Sequence, residues 1–156
     1  MDEKKIIQVA VVVRDLEKAL PRYAKILHPG PWDIYDFAPP EMQDTTYMGK
    51  PSEWSALIAL AWVGDRHFEI IQPVKGPNVY YDHLEKKGEG LHHIKEWVKD
   101  CKTAVKEYEK KGYRVIQSGR LGKDEFYYFN TFEDIGFYYE VGNNAEIRKP
   151  DRTWKL

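Results

Sequence analysis

The chain has 156 residues, 42% of them apolar and 14% aromatic, which supplies a packed core and argues against disorder. Lys and Arg number 24 against 25 Asp and Glu, a net charge of −1 that carries no footprint of nucleic-acid binding. A lone cysteine, Cys101, excludes a disulfide framework within the chain and fits a reducing, cytoplasmic setting.

The first apolar run, "IIQVAVVV", stops at Arg14 and Asp15, too soon for a membrane span or a signal peptide. Its β-branched content predicts a buried strand over 6–13. "RDLEKALPRYAKIL" sets Leu16, Leu20, Tyr23, Ile26 and Leu27 at helical spacing, with Asp15 as N-cap and Pro21 as a point of kinking. "HPGPW" breaks that helix, and "WDIYDFA" predicts a short strand. "PPEMQDTTYMGKPSEW" reads as a long polar loop with three prolines, of the length that functional lids have. "SALIALAWVG" and "RHFEIIQPV" flank a Gly-Asp turn and predict a hairpin. A short helix is expected over about 78–87.

The order then restarts. "LHHIKEWV" predicts a strand, and "KDCKTAVKEYEKKG" a helix closed by Gly112, with Cys101 as structural filler at its start. "YRVIQSG" is a further strand, and "EFYYFNTF" with "GFYYEVG" a further hairpin. "NNAEIRKPDRTWKL" shows no period. The series strand, helix, three strands therefore occurs twice, over about 5–75 and about 90–143, joined by a linker helix at about 77–88 and followed by a tail, 144–156.

Laying one half over the other sets "QVAVVVRD" (8–15) on "HIKEWVKD" (93–100), a shift of 85 residues. Phe68-Glu69-Ile70 falls on Tyr139-Glu140-Val141 in the last strand of each half. Gln8 is then equivalent to His93, and Glu69 to Glu140. Two halves related by an approximate two-fold bring together an amide oxygen, an imidazole and two carboxylates from otherwise apolar strands. Buried carboxylates are costly, and two close together repel. A divalent cation answers both problems, and this mixed N and O set suits zinc, nickel, cobalt or manganese. The plainer alternatives are a structural His93, Glu69 paired with Arg66 or His67, Glu140 paired with a lysine, and a cavity that has lost its metal. Alternation along the strand turns His92 to the opposite face, as a structural or surface residue. His28 and His83 read as surface positions, and His67, on the face of Glu69, as a support. Lys95 shares the face of His93. There it can repel a metal, bind an anionic group such as a carboxylate, or reach out to solvent.

On these residues the chain resembles the vicinal-oxygen-chelate superfamily, which includes glyoxalase I, methylmalonyl-CoA epimerase, extradiol dioxygenases and the bleomycin- and fosfomycin-resistance proteins. The resemblance covers roughly residues 5–143. "VVVRDLEKAL", "FEIIQPVKGPN", "HLEKKGEGLHHI" and "GFYYEV" are most similar to the methylmalonyl-CoA epimerase branch. Gln8 departs from that branch, which carries His there; Gln, Glu, His, Glu is the set of one class of glyoxalase I. Lys95 departs too, standing where a small residue is usual.

The resemblance implies an α+β fold: two paired βαβββ modules forming a curved mixed sheet around a central cavity, in one domain. It implies one divalent metal ion held by Gln8, Glu69, His93 and Glu140, and a homodimer acting on a small molecule with a carbonyl or carboxylate, without nucleic acid or membrane as partner. The expected activity is a metal-dependent epimerase or isomerase that removes a proton α to a chelated carbonyl. Glu140 is the expected base and Glu41 the group that returns the proton from the other face. Lys95, Trp97 and Tyr138 are expected to contact substrate. Two alternatives stand beside it: a glyoxalase I-like lactoylglutathione lyase, favoured by the ligand set, and a metal-free binding protein of the bleomycin-resistance type, favoured by Lys95 and the aromatic residues. An iron dioxygenase fits less well, since its site asks for two His and one carboxylate.

Overall fold

The computed structural model describes residues 3–156. Strand β1 (Lys5–Val12) leads into helix α1 (Leu16–Ile26), followed by β2 (Trp32–Phe37), β3 (Met42–Tyr47), β4 (Lys50–Pro51), β5 (Ser55–Val63) and β6 (Arg66–Lys75). Helix α2 (Val79–Lys87) connects to the second half: β7 (Gly90–Trp97), α3 (Cys101–Lys110), β8 (Val115–Leu121), β9 (Asp124–Phe129), α4 (Phe132–Ile135) and β10 (Tyr138–Gly142). A last short strand, β11 (Arg152–Trp154), ends the chain's regular structure.

Both long helices start as their sequences dictate. Asp15 accepts the Lys18 amide at 3.1 Å, and Asp100 accepts the Thr103 amide at 3.1 Å, each satisfying a free donor of a first turn. Helix α1 runs on through Pro21. Of the predicted face, Leu16 and Leu20 are buried, joined by Ala19 and Ala24, while Ile26 is exposed.

The fold is α+β, with one mixed sheet in the order β11-β2-β5-β6-β1-β7-β10-β9-β8-β3-β4. Strands β1 and β7 pair antiparallel at its centre, β6 runs parallel to β1, and β10 runs parallel to β7. The inner part, β2-β5-β6-β1 against β7-β10-β9-β8, is the expected duplicated arrangement. The sheet is curved and open. Its concave side holds a cluster built on Tyr35, Phe37, Trp54, Ile58, Phe126 and Tyr128, with Val79, Tyr80 and Leu84 of α2 packed into it. Its convex side carries a second cluster, in which Leu16, Ala19 and Leu20 of α1 cover Val11, Ile34 and Ile70.

Two expectations are overturned here. The proline-rich stretch is not a lid but strands β3 and β4. Strand β3 crosses to pair with β8 of the other half, so it curls the sheet and helps enclose the concave side. Its polar residues misled because an irregularity between Gln43 and Thr46 breaks the alternation: Gln43 and Asp44 are both exposed, while Met42 and Thr45 are buried. The tail is also structured. Strand β11 pairs with β2. Arg148 holds Asp151 and the Asp36 carbonyl, clasps Glu41, and lies over the rings of Tyr35 and Phe37.

Candidate active site

The central strands lay the site out in two rows. Cross-strand neighbours lie side by side on one face of a sheet. Here one row runs His67, Gln8, Lys95, Glu140, and the next runs Glu69, Ala10, His93, Tyr138. An approximate two-fold between β1 and β7 exchanges Gln8 with His93, Glu69 with Glu140, and Ala10 with Lys95. The register read from the sequence is the register of the sheet.

Gln8, Glu69, His93, Lys95 and Glu140 are all buried. His93 Nε2 lies 2.9 Å from Glu140 Oε2 and 3.2 Å from Glu69 Oε2. Lys95 Nζ lies 3.7 Å from Glu140 Oε1. Gly142 makes room for this lysine, since a Cβ there would stand 2.5 Å from Lys95 Cε. Burial pulls the His93 imidazole down, but Glu140 and Glu69 outweigh it and lift its pKa to about 9. Burial works against the Lys95 ammonium too, and Glu140, Asp124 and Glu69 overcome it, so its pKa is raised. Glu140 is held below its ordinary value: burial opposes its charge, and Lys95 and His93 win. Asp124, nearby and buried, is pushed up to about 6, chiefly by burial.

The contacts of His93 are close without being hydrogen bonds. His93 Nε2 and Glu140 Oε2 are both buried and lack any hydrogen-bond partner. Two ligands at right angles on one ion, with bonds of 2.0–2.2 Å, stand about 3 Å apart. The spacing, the unpartnered atoms and the donor set of one imidazole, two carboxylates and an amide thus fit a divalent ion. Lys95 is the feature that opposes it. As the side chains stand, no group of three or more His, Cys, Asp or Glu among the described residues is arranged as a ready-made cation site.

Gln8, Glu69, Lys95, Asp124 and Glu140 form the floor of a cavity of about 510 Å³, and His93 lies fully buried against Glu69 and Glu140. Its walls are largely apolar, with Tyr35, Phe37, Ile58, Phe126 and Tyr128 inside and Trp62 exposed at the rim. Residues 144–147 of the tail close one side. Carboxylates dominate the charged lining: Asp33, Glu69, Asp124, Glu140 and Glu146 against the single ammonium of Lys95, with His28 and His67 as the imidazoles.

Glu41, Trp97 and Tyr138 fall outside the cavity lining. Glu41 is half-buried outside the cavity wall, clasped by Arg148. Trp97 donates its indole N–H to the Asn143 carbonyl at 3.0 Å and lies beside Lys5, away from the cavity. Tyr138 packs on His92, His83 and Phe132, against the concave cluster but outside the cavity lining. His67 lines the cavity, stacked on Trp62. His28 lines it as well, and its Nδ1 accepts the Gly30 amide at 3.0 Å. His83, expected at the surface, is buried, and His92, expected as a structural or surface residue, is buried as well. Three residues of the site escaped the sequence reading: Tyr80 and Tyr128, whose hydroxyls meet at 2.8 Å, and Asp124. Strict alternation in "DEFYYF" would have found Phe126 and Tyr128 facing inward with Asp124.

The profile of the glyoxalase/bleomycin resistance protein/dioxygenase superfamily matches residues 7–129, and the chain belongs to that superfamily. No curated protein matches it in sequence. Among solved structures, its fold is similar to methylmalonyl-CoA epimerase from Mycobacterium tuberculosis, with a TM-score of 0.65 at 18% identity, over 91% of this chain and 89% of that one. It is similar to the methylmalonyl-CoA epimerase of Streptomyces coelicolor in complex with 2-nitronate-propionyl-CoA, with a TM-score of 0.66 at 16% identity, over 93% and 100%. A hypothetical protein from Bacillus halodurans gives 0.65 at 21% identity, over 95% and 99%. No helix among the described residues is long and apolar enough to cross a membrane.

Proposed function

We propose that this chain is a metal-dependent isomerase of the methylmalonyl-CoA epimerase type, which moves the proton on a carbon α to a carbonyl. The observation that carries the proposal is the convergence of Glu69, His93 and Glu140 on the cavity floor, with His93 Nε2 and Glu140 Oε2 buried and unpartnered. Gln8, Glu69, His93 and Glu140 would hold one ion of zinc, nickel, cobalt or manganese. Such an ion, when bound, supplies a Lewis acid for the substrate carbonyl oxygen. Glu140 and Glu69 reach the floor from opposite sides of the two-fold, so one carboxylate takes the α-proton and the other returns it on the opposite face. Lys95 holds Glu140 ionised and offers its ammonium to an anionic group of the substrate. The apolar walls keep water from the carbanion-like carbon. Glu41 has no part in this reading, because Arg148 holds it outside the wall.

The acid-rich lining suits the acyl end of a thioester better than its phosphates, which would need cations outside the cavity. Deuterium uptake at C2 of methylmalonyl-CoA in heavy water, with cobalt- or zinc-loaded protein, tests the activity. Uptake that depends on the ion and disappears in Glu140→Gln is the expected result. A cytoplasmic homodimer belongs to the same reading, and light scattering in solution checks its subunit count.

One observation favours a second reading. The Lys95 ammonium already supplies positive charge beside Glu140, so the cavity can serve as a metal-free pocket for an aromatic small molecule bearing a carboxylate. Tight binding of such a ligand by chelator-treated protein, with no exchange activity, would support that reading.

A further inference from the structure

A regular strand sends neighbouring side chains to opposite faces, yet His92 and His93 touch. The reason is a bulge in β7. Ala10 stands opposite His93 and Val11 opposite Leu91, so His92 is the extra residue with no partner on β1. A bulge re-aims side chains locally. Here it brings His92 Nδ1 to 2.9 Å from His93 Nδ1, with the two rings nearly perpendicular, at 85°.

Two imidazole nitrogens at that distance share one proton, so one must donate and the other accept. The surroundings of the pair choose between the two assignments. His92 is fully buried, its ring packed against Tyr80, Tyr128, Tyr138 and His83, with no carboxylate among these neighbours. If His92 donated, neutral His93 would carry its proton on Nε2, facing Glu69 and Glu140. His93 would then have to stay neutral beside two carboxylates placed to hold it charged, and no lone pair would remain for an ion. If His93 donates from Nδ1, its Nε2 is the nitrogen left for the two carboxylates or for an ion they hold.

We propose that His92 is a positioning residue for His93: its Nδ1 lone pair permanently accepts the Nδ1–H of His93 and so presents His93 Nε2 to the site. The use made of that nitrogen rests on the metal-site reading above; the direction of the hydrogen bond does not. A ligating histidine is commonly fixed through its second nitrogen by a carboxylate or a carbonyl, and here the fixing group is a second, bulge-delivered imidazole. No sequence period reveals it, since the bulge itself breaks the period.

The test begins with long-range proton–nitrogen NMR on protein labelled with ¹⁵N in its histidine rings, first with chelator and then with added zinc. The expected spectrum shows His92 protonated on Nε2 and bare on Nδ1, and His93 protonated on Nδ1 in both samples, with zinc shifting Nε2 of His93. A proton on His92 Nδ1, or a bare His93 Nδ1, would overturn the proposal. The variant His92→Phe keeps the ring and removes the acceptor; its zinc affinity should fall about 10–100-fold, and His92→Gln, which restores an acceptor oxygen, should recover part of that loss. Equal affinities in the wild type and a folded His92→Phe would also count against the proposal. If the wild type binds no zinc, the metal reading fails, and the spectrum of the chelated protein alone decides the role of His92.

Discussion

The two halves share one topology and diverge in chemistry. The first brings Gln8, Ala10 and Glu69 to the floor of the cavity; the second brings His93, Lys95 and Glu140 to the equivalent places. Glu140 therefore meets an imidazole and an ammonium, while Glu69 meets the imidazole alone. Symmetry provides two carboxylates at the floor of the cavity, and the substitutions break their equivalence. Pairs of like groups in unlike environments are how one site separates its acid from its base. Ala10 against Lys95 is the sharpest of these differences, and Gly142 exists in a form that accommodates it.

Each difference between the halves can be tested by erasing it. The largest effect is expected from Glu140→Gln, which removes the carboxylate paired with both cations. Exchange at the α-carbon should fall by about 10²–10⁴-fold, measured as deuterium uptake, and the buried Lys95 left behind should lower the melting temperature. Lys95→Ala makes the second half resemble the first at that position. Removing an ammonium beside the donor set should tighten divalent-ion binding at least ~10-fold, read by calorimetry, while weakening anionic ligands. Gln8→His makes the first half resemble the second. An imidazole for an amide keeps a neutral donor, so stoichiometric ion binding should persist, with affinity changed by less than about 10-fold.

The pH dependence is a gentler probe of the same asymmetry. The His93 pKa in the folded protein is raised to about 9, above its unfolded value. Its contribution to stability is fully present below about pH 6.5 and is lost as pH rises through 9. With chelator present, the melting temperature should drop between those values, and His93→Gln should flatten that slope. The smallest effects belong to the edge of the sheet. Arg148 is an exposed clasp worth about 0–1 kcal/mol, and Glu41→Gln should leave exchange nearly unchanged; a large loss would return Glu41 to the mechanism.

The sequence carried the duplicated order of elements because each strand and helix bears its own local period and cap. The cross-half register was legible for the same reason: Gln8 and His93 lie at matching places before Asp15 and Asp100, and Glu69 and Glu140 each follow an aromatic residue in the last strand of their half. What failed depended on contacts between distant parts of the chain. The stretch around Met42 forms a strand only because β8 of the other half offers it an edge. Trp97 and Tyr138 looked like pocket aromatics, but indole and phenol pack equally well elsewhere, and neither period nor composition separates the two. Lys95 as a buried ion needed Glu140 beside it and the bare Cα of Gly142 above it. His92 was hidden by a bulge, which appears only when two strands are paired.

The central claim is that His93 anchors an ion on the cavity floor, and elemental analysis tests it most directly. The protein would be purified without chelators, equilibrated with a mixture of divalent ions and freed of excess. One ion per chain, absent from His93→Ala, is the predicted result. No stoichiometric ion in the wild type, or the same ion content in His93→Ala, would contradict it and leave the Lys95–Glu140 pair as the sign of a metal-free pocket.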